Sequence, residues 1–153
     1  MMSGYEKHVL VADNEKLVGR RLADHPVARH IAVVAVTDGL QALRELHHHH
    51  FDAVIAVPHL RYLDGFDLLC QCHLVWPQLP VIFISGNLLD DVGPAMAQGA
   101  YACLHKSVDT VKLIHVLSEA IARPGDPRSS QVDMLSDMLE AQQRWAVCAT
   151  DTE

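Results

Sequence analysis

The sequence predicts a doubly wound α/β domain built on a parallel sheet. Three observations carry this. Five short apolar runs recur along the chain without polar alternation, which is how strands read when both faces of a parallel sheet are covered. Each run is followed by a stretch with helical spacing, so the chain repeats a βα unit five times. Its 153 residues suffice for one domain with a single substantial core.

The first run is His8-Val9-Leu10-Val11-Ala12, and Leu17, Val18, Arg21 and Leu22 space the helix after it. Ile31-Ala32-Val33-Val34-Ala35-Val36 is the second strand, with Leu40, Leu43 and Leu46 on the second helix. Ala53-Val54-Ile55-Ala56-Val57 is the third, followed by Phe66, Leu69, Cys70 and Leu74 on a helix that stops before Pro77. Val81-Ile82-Phe83-Ile84 is the fourth, and Val92 to Gln98 form a helix closed by Gly99. Tyr101-Ala102-Cys103-Leu104 is the fifth, and a helix from Val108 to Ile121 ends at Pro124 and Gly125. Residues 1–123 thus form the α/β unit, and 124–130 a polar, proline-bearing linker. Residues 131–153 carry an amphipathic helix and tail, with Leu135, Met138, Leu139, Gln142, Trp145 and Ala146 on one face.

Composition narrows the function classes. Half the residues are hydrophobic and 20% are charged, which is ordinary for a globular protein. A formal net charge of -7 argues against general affinity for nucleic acid or an anionic membrane. No apolar run approaches the roughly 18 residues of a membrane span. The short polar start, Met1 to Lys7, lacks the apolar stretch of a signal peptide, so the expected location is the cytoplasm. Cys70, Cys72, Cys103 and Cys148 make no disulfide framework for a domain of this size. Cys70 and Cys72 sit two apart on a helix, face different ways and read as packing residues. His47-His48-His49-His50 lies at a helix carboxyl end and reads as a solvated terminus, where positive charge is favourable, with any metal binding adventitious.

In an open parallel sheet, ligands bind beyond the carboxyl ends of the strands. There the chain places Asp13-Asn14-Glu15, Val57-Pro58-His59, Ser85-Gly86-Asn87 and His105-Lys106-Ser107. No glycine-rich loop opens the first helix, which disfavours dinucleotide binding. Taken alone, Asp13 and Lys106 within ion-pair reach would be a structural salt bridge between loop ends.

Five motifs in order add more. Val9-Leu10-Val11-Ala12-Asp13-Asn14-Glu15 resembles the first strand and acidic pair of response-regulator receiver domains of the CheY-like type. Thr37-Asp38-Gly39-Leu40-Gln41-Ala42-Leu43 is similar to that family's second-strand exit, and Asp64-Gly65 holds the family's spacing after the third strand. Trp76-Pro77-Gln78-Leu79-Pro80-Val81-Ile82 followed by Ser85 resembles the fourth-strand motif, and Gly99-Ala100-Tyr101-Ala102-Cys103-Leu104-His105-Lys106 the fifth. The resemblance covers roughly residues 8 to 122. It implies a flavodoxin-like (βα)5 three-layer sandwich with strand order 2-1-3-4-5. It also implies a pocket of Asp13, Asn14, Glu15, Ser85 and Lys106, in which the family holds magnesium and passes a phosphoryl group to an aspartate. Ser85 matches the hydroxyl that contacts the phosphoryl oxygen, and Lys106 the lysine.

The acceptor place falls on Val57, which has no nucleophilic atom and no metal ligand. Asn14 replaces an acid, Cys103 stands where the family's aromatic switch residue sits, and Ser107 replaces a proline. Magnesium binding is therefore expected to be weak or lost, since that ion demands hard oxygen ligands. The expected protein is a stand-alone receiver without enzymatic activity that works in two-component signalling by protein contact, without phosphorylation. Its partners would be a sensor kinase or an output protein, met through the face of the fourth helix, fifth strand and fifth helix. A homodimer through the carboxyl-terminal helix is a further possibility. Two alternatives stand beside it: a conventional phosphorelay receiver with another acceptor, for which His59 is a poor candidate, and a structural or dimerisation subunit.

Overall fold

The computed structural model of the chain describes residues 7–122. The apolar runs form one parallel sheet of β1 (Lys7–Ala12), β2 (Ile31–Val36), β3 (Ala53–Ala56), β4 (Val81–Ser85) and β5 (Ala102–His105), ordered β2-β1-β3-β4-β5. Between and after them run α1 (Leu17–Asp24), α2 (Gly39–His48), α3 (Gly65–Val75), α4 (Leu88–Ala97) and α5 (Thr110–Ala122). This is the doubly wound sandwich and the strand order expected. The strand order reverses at β1, which pairs with β2 through Val9 and Val33 and with β3 through Val9 and Ala53. A right-handed crossover on each side of that point puts α1 and α5 on one face and α2, α3 and α4 on the other. The contacts of α1 with α5, α2 with α3, and α3 with α4 agree with this layering.

The unbroken apolar runs are explained by burial. Val9 to Ala12 in β1 and Ala53 to Ala56 in β3 are inaccessible to solvent, because helices cover both faces. Across the two helix layers, Arg21 ties α1 to the start of α5. Its Nε donates to Thr110 Oγ1 at 3.1 Å, and its guanidinium donates to the Val108 carbonyl at 2.6 Å.

Helix starts are set by aspartates. Asp38 accepts from the Gln41 amide at 2.7 Å, Asp64 from Asp67 at 2.9 Å and Asp109 from Lys112 at 2.8 Å. Helix α1 is different. Lys16 at its cap is left-handed, with φ 60°, and its side chain caps nothing. Asp13 does the capping from three residues upstream, accepting the Val18 amide at 3.0 Å. Gly65 has a steric reason: a Cβ there would run into the Val57 carbonyl. Only glycine therefore lets α3 begin so close to the end of β3.

Several boundaries differ from the sequence expectation. Strand β3 stops at Ala56, so Val57 opens the loop, although its amide still donates to the Ala12 carbonyl at 3.1 Å. Strand β5 is one residue later than expected, running to His105. Helix α5 starts at Thr110 because Asp109 caps it. Helix α4 starts at Leu88 instead of Val92: Asp90 and Asp91 sit in its first turn, where negative charge is favoured, and Pro94 is carried inside it. The linker expected at 124–130 and the helix expected at 131–153 lie outside the described residues. No helix among the described residues is long and apolar enough to cross a membrane.

The cysteines of α3 face opposite ways, Cys70 exposed and Cys72 buried. Burial pushes the Cys72 thiol from its ordinary value of 9.0 up to about 12. Cys103 rises to about 11, first through burial and then through the Asp91 carboxylate. The unfolded chain ionises these thiols first, so their contribution to stability is intact below pH 9.0 and is lost as pH climbs towards 11 to 12. Urea midpoints measured from neutral to alkaline pH should fall across that window, and Cys72→Ala should flatten the fall. A pH-independent difference between the two proteins would refute the linkage.

Candidate functional site

The loops at the carboxyl ends of β1, β3, β4 and β5 meet around Asp13. That residue is buried, 4% exposed, and its two oxygens are committed to the backbone. Oδ1 accepts from the Glu15 amide at 3.0 Å and Oδ2 from the Val18 amide at 3.0 Å. Asn14 and Glu15 follow it and are exposed. The expected Asp13–Lys106 pair is not formed. Lys106 Nζ instead reaches Glu15 Oε1 at 3.4 Å, on the outer side of the cluster. The reason is that Asp13 is turned inward to cap α1. With both partners about half exposed, the Lys106–Glu15 pair is worth at most about 1 kcal/mol.

Ser85 ends β4 and is fully buried. Its hydroxyl donates to Asp91 Oδ2 at 2.6 Å and accepts from the Asn87 amide at 2.9 Å. Lys106 is held close by its own backbone, whose amide donates to the Ser85 carbonyl at 2.8 Å. Cys103, half-buried on β5, pairs in register with Phe83 and feels the Asp91 carboxylate. Asp91 is the residue that sequence reasoning missed. With the fourth helix expected from Val92, it falls just ahead of that helix. Only knowing that α4 begins at Leu88 would have placed it opposite Ser85.

The Ser85–Asp91 bond joins a hydroxyl to a charged acceptor, so it belongs to the stronger class of hydrogen bonds. A double-mutant cycle of Ser85→Ala and Asp91→Asn should give a coupling of about 1–3 kcal/mol in urea unfolding. Additive losses would show that the bond makes no net contribution in solution.

Val57 sits beside this cluster and is buried, 8% exposed. Its side chain offers neither oxygen nor nucleophile. The donor set does not fit magnesium. Asp13 keeps a lone pair on each oxygen but is the sole buried carboxylate of the set, Asn14 is neutral, Glu15 is paired with Lys106, and Val57 contributes nothing. Among the described residues no group of three or more His, Cys, Asp or Glu side chains is arranged to hold a metal ion. That includes the histidine run, whose rings diverge: His48 Nδ1 contacts the Arg44 carbonyl, His49 approaches Glu45, His50 approaches Asp52 and His47 meets Trp76.

A parallel sheet ordered 2-1-3-4-5, with an acid after β1, a serine after β4 and a lysine after β5, matches one family in particular. The model of the response regulator receiver domain matches residues 9–118. The chain belongs to this family. As a receiver domain it is part of the two-component signalling machinery.

This receiver domain is 30% identical over 125 residues to the transcriptional regulatory protein GlrR of Escherichia coli (strain K12), covering 78% of this chain and 27% of that protein. It is 29% identical over 107 residues to the sensor histidine kinase RcsC of Escherichia coli (strain K12), covering 68% of this chain and 11% of the relative. The receiver chain thus spans about a quarter or less of the length of these relatives. Among solved structures it is similar to the signal receiver domain of an HD domain-containing protein from Pseudomonas fluorescens Pf-5. That match has 26% identity and a TM-score of 0.73, and it covers 82% of this chain and 93% of the other. The receiver domain of the sensor histidine kinase PA1611 from Pseudomonas aeruginosa PAO1, with a magnesium ion coordinated in its active-site cleft, shares the fold at 22% identity. Its TM-score is 0.67, with 76% of this chain and 98% of that one covered.

Proposed function

We propose that this receiver domain signals by protein contact without accepting a phosphoryl group, Val57 standing where the family places its acceptor aspartate. The supporting observation is the side chain itself, buried at the end of β3 next to β1 and without an atom that could attack phosphorus. Phosphoryl transfer depends on positioning and on charge neutralisation. Here the positioning elements have other employment. Asp13 caps a helix, Lys106 pairs with Glu15, and the Ser85 hydroxyl is already given to Asp91. No catalytic role is assigned to any of them.

The face proposed for contact is that of α4, β5 and α5. Leu89 near the start of α4 is 94% exposed, so it offers apolar surface there. The partner would be a sensor kinase or an output protein in the cytoplasm. Incubating the chain with a small phosphodonor and magnesium, then weighing it intact, tests the reading. The expected result is no mass gain. An acyl phosphate mapped to any aspartate, or a phosphate on His59, would overturn it.

A further inference from the structure

At the other end of the sheet from Asp13 lies a groove of about 590 Å³ that the receiver pocket does not use. Its walls are the end of α2 with the segment leading into β3, the connection from α3 to β4, and the last turn of α5. Leu46, Phe51, Trp76, Leu79 and Ile121 supply the apolar lining. Trp76 and Leu79 are only partly buried, and the Trp76 ring meets His47 edge-on with centroids 4.9 Å apart. The rim is cationic or protonatable, with Lys7 and His47 to His50, against one carboxylate, Asp52. Asp52 is already occupied: it accepts the His8 amide at 2.9 Å and lies 3.4 Å from His50 Nε2.

We propose that residues 131–147 of this same chain dock into this groove as an amphipathic helix, covering Trp76 with their own apolar face. Three observations point to that occupant. Helix α5 ends at Ala122, next to Ile121 in the groove wall, so the chain that follows leaves from the groove's edge. Residues 124–130 reach about 25 Å when extended, enough to turn back across it. Leu135, Met138, Leu139 and Trp145 share one helical face, which needs an apolar surface of this kind. The inference stands apart from the acceptor question, since it uses none of the pocket residues.

The chain contains two tryptophans, Trp76 in the groove and Trp145 in the docking segment. Fluorine NMR of the full chain labelled with 5-fluorotryptophan reads both at once, with Trp145→Phe giving the assignment. Both resonances should be displaced from the position of the free amino acid and should not change on dilution. Trp145→Phe should shift the Trp76 resonance. The surface change His47→Glu with His50→Glu, or separately Gln78→Glu, should move the Trp145 signal towards the free position while far-ultraviolet circular dichroism stays that of the parent. A Trp145 signal at the free position in the parent overturns the proposal. A displaced signal lost on dilution assigns the segment to a second copy and overturns it too. So does a displaced signal indifferent to all the groove variants.

Discussion

Val57→Asp should give the pocket a magnesium affinity that the parent is expected to lack. The substitution puts a carboxylate at an 8% exposed position beside Asp13, which is itself 4% exposed. Two buried carboxylates in one cluster repel, and without a cation the new one is poorly solvated. The metal-free variant should therefore lose about 2–4 kcal/mol of stability. Lys106 can offset part of this by swinging from Glu15, because their exposed pair costs little to break. Magnesium should restore the rest, and by linkage each tenfold rise in its concentration above the dissociation constant adds about 1.4 kcal/mol. Adding Asn14→Asp supplies a second hard ligand and should steepen the response. Urea midpoints of parent, single and double variants across a magnesium titration measure all of this. The parent should be flat, and the variants should rise in the order single, double. A folded variant with no magnesium dependence would mean that Asp13's commitment to capping α1 outlasts the return of the acceptor. The same samples treated with a phosphodonor show whether the introduced carboxylate also becomes reactive, which separates loss of the nucleophile from loss of the whole site.

The fold was legible because its main signals are local and redundant. Runs such as Val9 to Ala12 and Val81 to Ile84 can be strands only if both faces are covered, and each is followed by a helical period. Boundaries slipped where a single capping residue decided them, as at Asp109 and at the acid-rich start of α4. The pocket was legible as a set of residues but not as a set of bonds. Sequence places Asp13 and Lys106 at neighbouring strand ends, and charge alone would pair them. What redirects Asp13 is the left-handed Lys16, which leaves α1 without a cap of its own. No residue pattern announces that. Asp91 was hidden for a related reason: its partner, Ser85, is set by how α4 packs on β4, a tertiary fact. The groove around Trp76 was equally invisible, since its walls come from three separate connections at the opposite end of the sheet.

Phe83→Ala should cause the largest loss of stability of any single truncation considered. Phe83 is the bulkiest of the fully buried side chains, in β4 between Ala56 of β3 and Cys103 of β5. Its ring meets Phe66 of α3 with centroids 5.0 Å apart and planes tilted by 55°, a favourable aromatic geometry. Both neighbours in the sheet are small or slender, so nothing beside Phe83 in the sheet can expand into the space it leaves. The relaxation that softens many core truncations is therefore restricted, and the cost should lie at about 3–5 kcal/mol. That is a large share of the roughly 5–15 kcal/mol that holds a domain folded. The urea midpoint should fall with the slope unchanged, because the same surface is exposed on unfolding. Phe83→Leu keeps most of the volume and should cost less than half as much. The loss should also be felt at the functional end of β4, two residues on at Ser85. Without the ring to fix the strand against α3, the coupling between Ser85 and Asp91 should shrink in the Phe83→Ala background. If that coupling is unchanged while stability falls as expected, the Ser85–Asp91 contact is fixed by α4 alone, and the core supports the pocket only through overall stability.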